Sequence, residues 1–247
     1  MAPLIYLGEL GLLARSVMQF VLRRKFNTQL VVEQMATVGF ASLPIVLITV
    51  GCAGMVFSLY TSQGLVTHGA GEFAGYLVAF TVVRELGPIV TAVATAAAAG
   101  SAFAAQLGTM RVTEQVDALR TMAVSPVAYL VVPRVLACLV ILPTLCVLGD
   151  FAGIVGGYTV ASYAGVPTTQ YLESIRQYMH FGDILAGLTK TFFFGPLIAL
   201  VSCHQGLVMQ GGAAGVGRAT TRAVILSLIG IYITNFALSY LLPYDVT

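Results

Sequence analysis

Four charged residues stand inside stretches otherwise suited to lipid: the neighbours Arg84 and Glu85, then Asp150 and Lys190. A charge at the centre of a bilayer costs roughly 3 kcal/mol on insertion scales unless it is paired or wet, so each must pair, line a polar cavity, or carry protons. Adjacent residues on a helix point about 100° apart, so Arg84 and Glu85 do not satisfy one another directly. Each needs a partner on another helix, a polar cavity or a lipid head group. Structural ion pairing and a place in a substrate cavity are both open at this point. A third possibility is a proton relay through Glu85, Asp150 and Lys190, which would make an ion-coupled secondary transporter. Against it, the chain shows no inverted repeat, and five spans do not divide into equal halves.

Other chemistry is harder to find. No Ser-His-Asp set, HExxH or paired carboxylate site stands out, and the three histidines are scattered. The glycine-rich run 211–217 looks like a phosphate loop but lacks the Lys-Ser/Thr of a Walker A motif, and no strand precedes it. It reads as a flexible turn. Cys52, Cys138, Cys146 and Cys203 lie in apolar runs without CxxC spacing, which fits buried small hydrophobes better than metal ligands or disulfides. No catalytic residue, metal or cofactor is expected on this chain, which is not an enzyme by itself.

Composition sets the solvent in which these residues work. Of 247 residues, 58% are hydrophobic and 9% charged, with a mean hydropathy of +0.91. Soluble domains carry about 25% charged residues, so the expected class is an all-α membrane protein. A β-barrel is disfavoured because the apolar runs are continuous rather than alternating. A net charge of +2, with no basic run interleaved with aromatics, excludes a nucleic-acid partner. No cleavable signal peptide is expected, since a basic n-region followed by a compact apolar run is missing.

The chain reads as a single domain, 1–247, with an interfacial helix and elbow over 1–38 and a transmembrane bundle over 39–247. Residues 3–22 are apolar but interrupted by Glu9, Arg15 and Gln19, and they lead into Arg23, Arg24 and Lys25. Such a segment suits the membrane interface, and its basic end marks the cytoplasmic side. Spans are expected at 39–60, 72–107, 126–163, 184–208 and 223–242, with a short outer helix at 170–178. Gly87-Pro88 marks a kink in the second span. Two stripes of small residues, Ala92, Ala96, Gly100, Ala104, Gly108 and then Gly149, Gly153, Gly157, would let helices approach closely. Residues 109–122 predict one amphipathic cytoplasmic helix, with Val112, Val116, Leu119 and Ala123 on its apolar face and Arg111, Glu114 and Gln115 away from it. Arg218 and Arg222 close an inner loop over 210–222. Arg15, Arg111 and Arg120 also fall inside and only Arg176 in an outer loop, as the positive-inside rule requires.

These residues carry a family likeness. RELGPIVTA from position 84, the run GSAFAAQLGTMRVTEQVDALRTMAVSPVAYLVVPRVLA from position 100, and QGGAAGVGRATTRAV from position 210 resemble the MlaE/YrbE permease family. Its members are the membrane subunits of MCE-type lipid ABC transporters in bacteria, with chloroplast relatives. The likeness covers about 31–242. It implies a homodimeric, five-span permease of the bacterial inner membrane, N-terminus cytoplasmic, or of the chloroplast inner envelope. It also implies a separate cytoplasmic ATPase that holds the ATP and Mg, and an outer MCE-domain protein that exchanges lipid with the permease. The family's ATPase-docking role would pass to Gly108, Thr109, Glu114, Gln115, Asp117 and Ala118. Its lipid cavity would bring Arg84, Glu85 and Pro88 close to a head group. The sequence departs from the family pattern at Ala97-Ala98 (usually Gly-Arg), Gln106 (Glu), Ala214 (often Lys) and Asn235 (Asp).

Overall fold

A computed structural model describes residues 2–23 and 26–241, and all regular structure among them is helical. Arg24 and Lys25 of the basic cluster, and the end of the last expected span at 242, lie outside the described residues. Helix α1 is Ala2–Leu22 and α2 is Thr28–Thr67. A helical run then starts with a 3-10 turn, Gly71–Phe73, and continues as α3 (Ala74–Thr81), α4 (Gly87–Thr95) and α5 (Ser101–Val112). Next come α6 (Gln115–Thr121), α7 (Val132–Tyr163), α8 (Thr168–Tyr178), α9 (Phe181–Val208) and α10 (Gly212–Leu241). Six segments among the described residues, α1 included, are long and apolar enough to cross a membrane. The protein is therefore an all-α membrane protein.

Three π-helical turns interrupt the spans: Val82–Leu86, Ala96–Gly100 and Val127–Val131. Two of them stand just before a proline, Pro88 and Pro133. Proline has no N–H to give the carbonyl four residues back, and widening the turn lets the chain continue as a helix. Pro44, Pro143 and Pro196 sit in α-helix without such a turn.

Three expected elements differ from the structure, the first being the span expected over 39–60, which is the middle of the longer helix α2, Thr28–Thr67. The amphipathic helix expected over 109–122 is broken at Glu114, whose φ of 58° is left-handed. Helix α5 runs on to Val112, and α6 leaves in a new direction. The loop expected over 210–222 is helical from Gly212 onward. Only Gly211 and Gly212, both at positive φ, make the turn, so glycine content there signals a helix start rather than a long loop.

The described residues pack as two compact groups, within Met1–Ala41, Thr95–Ile141 and Phe193–Thr234 for the first and Ser42–Ala94, Leu142–Phe192 and Asn235–Thr247 for the second. In the first, Phe103, Leu107, Val116, Leu130, Val135 and Cys203 share one apolar core. The stripe Ala96–Gly108 meets α9 and α10 there: Gly100 faces Ser202 and Ile198, while Gly108 lies against Met209 and Val216. In the second group the contact is glycine against glycine. A Cβ on Gly54 would overlap the Gly153 carbonyl, and one on Gly156 would come within 2.7 Å of the Gly51 carbonyl. Backbone contact of this kind is how helices associate where lipid removes the hydrophobic drive.

Replacing Gly54 with Ala is therefore expected to destabilise the bundle by about 1–3 kcal/mol, the usual cost of overpacking. Gly8→Ala should be tolerated, since no atom lies within 4 Å of the added methyl. Thermal unfolding of the two variants in detergent checks this, and equal midpoints would refute the packing argument.

Candidate functional site

The π turn Val82–Leu86 is the starting point. In a regular helix the Arg84 carbonyl would accept from the amide of residue 88, but Pro88 has none. Lys190 Nζ takes the place of that amide and donates to the Arg84 carbonyl at 3.0 Å. The same ammonium donates to Glu85 Oε1 at 2.6 Å and to Ser239 Oγ at 2.8 Å. Its side chain is 1% exposed and that of Glu85 37%. Three donated bonds use the whole donor capacity of a lysine.

Glu85 is held from α10 as well. Asn235 Nδ2 donates to Oε2 at 3.2 Å and Ser239 Oγ to Oε1 at 3.1 Å. An aspartate in place of Asn235 could not donate to a carboxylate unless it carried a proton. Arg84 points elsewhere, as adjacent helical residues must, and its Nη1 meets Asp183 Oδ1 at 2.9 Å. Its guanidinium also sits 5.6 Å from the centre of the Phe80 ring. Asp183 lies in the first turn of α9, where its other oxygen accepts from the His180 amide at 3.2 Å and caps the helix. Asp183 and Lys190 are seven residues apart on α9 and share one face. Two cations and two anions thus form a network of zero net charge.

Of the residues expected at a cavity, Arg84 and Glu85 stand in this network, and buried Pro88, which has no N–H, leaves the Arg84 carbonyl without the usual amide donor four residues on. Lys190 is brought to Glu85, but Asp150 is not. Its Oδ2 accepts from Cys146 Sγ at 3.5 Å, and its Oδ1 lies where a Cβ on Gly87 would stand. Asp183 and Ser239 were missed by the sequence reading. The i, i+7 spacing of Asp183 and Lys190 was the available signal for the first. Nothing in sequence marks Ser239, whose partner is 154 residues away. An apolar groove of about 620 Å³ is lined by Cys52, Val56, Phe57, Tyr60, Thr61 and Leu86, the neighbour of Glu85 in sequence, among others.

The candidate docking residues sit in the first group and divide by environment. Thr109, Glu114, Gln115 and Ala118 are exposed. Gly108 is buried and belongs to helix packing. Asp117 is clamped: Arg111 Nη1 reaches it across the Glu114 break at 2.7 Å, and Arg120 Nη1 at 3.0 Å. Val116, 1% exposed, pins α6 to the core, while Val112 is 44% exposed and leaves the expected apolar face. Arg134 is a buried cation whose partners among the described residues are neutral: the Leu130 carbonyl at 2.6 Å, Gln106 Oε1 at 3.1 Å and the Phe103 ring. No cluster of His, Cys, Asp and Glu suited to a metal occurs among the described residues.

Long apolar helices, some of them carrying a neutral polar network, with a short charged helix between two spans, define a polytopic membrane protein. Residues 31–241 match the family described as Permease MlaE, and the chain belongs to that family. It is 44% identical over 232 residues to a probable ABC transporter permease of Synechocystis, covering 93% of this chain and 88% of the relative. A probable ABC transporter permease of Rickettsia felis is 38% identical over 235 residues, covering 95% and 91%. The chloroplastic protein Trigalactosyldiacylglycerol 1 of Arabidopsis thaliana is 34% identical over 229 residues, covering 92% and 65%. The protein is thus a membrane permease, a transport subunit rather than an enzyme.

Lys190→Met should destabilise the protein by roughly 2–3 kcal/mol, below the ~3–5 kcal/mol of a fully buried pair because Glu85 is partly screened. Adding Glu85→Gln should recover part of that loss, since no uncompensated carboxylate is left. Chemical unfolding of single and double variants in micelles measures both, and a double variant no better than Lys190→Met would refute the pairing. Gln106→Glu should stabilise the protein in the same assay by giving Arg134 a charged partner.

Proposed function

We propose that this chain is the permease subunit of an ABC transporter that moves phospholipid or a related lipid between membranes. Two copies form the transmembrane unit. A separate cytoplasmic ATPase binds and hydrolyses ATP with Mg, and an MCE-domain protein exchanges lipid on the outer side. The membrane is the bacterial inner membrane, with the chloroplast inner envelope as the alternative. In this reading α1 lies in the interface, five spans cross, and the N-terminus faces the cytoplasm.

The observation that carries the proposal is α6. It is a short helix fixed by a buried valine and a two-arginine clamp, and with its N-cap Glu114 it presents Gln115 and Ala118 to solvent beside exposed Thr109 at the end of α5. A rigid charged ledge can pass force from a partner to the spans, and the chain has no nucleotide motif of its own. Asp117 acts by holding the ledge, and Glu114 is free to meet a basic partner. A lipid cargo is supported by the apolar groove that reaches Leu86 and by the relative whose name contains trigalactosyldiacylglycerol. A neutral set of paired charges suits a head group bearing both signs, with each pair exchanging partners as lipid enters. Proton relay is disfavoured because Asp150 engages Cys146 rather than Glu85 or Lys190.

In the assembled complex, charge reversal at Glu114 and Asp117 is expected to lower lipid-stimulated ATP hydrolysis at least tenfold while membrane insertion is unchanged. Unaltered stimulation in that variant would overturn the coupling role. Transport driven by a proton gradient without ATP would favour the ion-coupled alternative.

A further inference from the structure

We infer that the cavity between the end of α9 and the first turns of α10 is a binding site for the phosphate of an anionic lipid, separate from the Glu85–Lys190 network. The cavity holds about 340 Å³ and is lined by Gln205, Met209, Gln210, Gly215, Arg218 and Arg222 among others. Arg218 and Arg222 are one turn apart on α10 and point to the same side. Neither forms an ion pair with an acidic side chain among the described residues. Arg218 Nη2 lies 2.9 Å from where a Cβ on Gly211 would stand, so the guanidinium folds back over the helix start. Gly211 and Gly212 turn the backbone through positive φ there, and Gly215 packs so closely on the Gln210 carbonyl that a Cβ would overlap it. First-turn amides of a helix lack intrahelical partners and carry the positive end of its dipole. Two guanidinium groups and a helix start therefore converge on a concave, polar space, the arrangement that recognises phosphate oxygens.

A soluble phosphate would be served by the arginines alone, but the surface continues as a lipid would require. Ile225, Ile229 and Ile233 follow Arg218 and Arg222 along the same face of α10. They are 50%, 51% and 65% exposed. Basic groups heading an apolar stripe match a phosphate heading acyl chains, and basic pockets between membrane helices bind anionic head groups in this way. The inference concerns a resident lipid and stands whether or not the transported cargo is lipid.

The test equilibrates the detergent-purified full-length chain with equal phosphatidylglycerol and phosphatidylcholine, removes loose lipid, and measures what is retained by mass spectrometry. Phosphatidylglycerol should be enriched on the order of tenfold, and R218Q/R222Q should bring the ratio close to one. R218K/R222K should retain part of the enrichment, and I229S should weaken retention with both arginines in place. If the double glutamine variant does not fold, the exposed single variant R222Q replaces it and should lose most of the enrichment. Unchanged enrichment in a folded variant lacking the arginines overturns the site. If inorganic phosphate alone protects the wild type from thermal unfolding and the arginine variants not, with no lipid enrichment in either, the site takes soluble phosphate and the lipid assignment fails.

Discussion

Lys190 makes its third hydrogen bond to the Arg84 carbonyl, an oxygen that proline at residue 88 cannot reach with an amide. Buried in an apolar bundle, an ammonium is tolerated when every proton has an acceptor. Glu85 and Ser239 accept two of them, and the third goes to a main-chain oxygen that no amide four residues on can take. The π turn and Pro88 provide it, and Gly187 lets α9 come close enough, since a Cβ there would overlap the Val83 carbonyl. Charge pairing, helix irregularity and a missing side chain are one device here: a change to any of them leaves a buried charge short of a partner.

The same logic divides the polar interior into kinds. The Arg84, Asp183, Glu85 and Lys190 set is neutral as a whole and can be opened without leaving a net charge in lipid. Arg134 is different, because its acceptors are an amide oxygen, a main-chain carbonyl and an aromatic face. Its role is to fix packing between α7 and the start of α5, where neutral partners suffice if the geometry is good. Asp150 is a third kind, a carboxylate wedged against a glycine.

The charged ledge after the second span follows from a local break. Had 109–122 been one helix, Val112, Val116 and Leu119 would all have faced the core and Asp117 could not have reached Arg111. A left-handed Glu114 redirects the chain, so Arg111 and Asp117 close across the corner. A corner held by two arginines and one buried valine is stiffer than a frayed loop.

Long apolar runs determined the helices and their membrane setting from sequence alone, because hydrocarbon admits only helices or closed barrels. The small-residue stripes and the need for Arg84 and Glu85 to part company were equally legible, since both follow from helical spacing. The 40-residue reach of α2, the helical start of α10 and the bend at Glu114 were not legible. Each is a main-chain conformation chosen by packing against neighbours rather than by local propensity. Which carboxylate pairs with which cation was likewise decided only in three dimensions. Periodicity states which way a side chain points, but hydrogen bonds form between atoms that the fold has brought within reach, and the distance from Glu85 to Ser239 along the chain contains no such information.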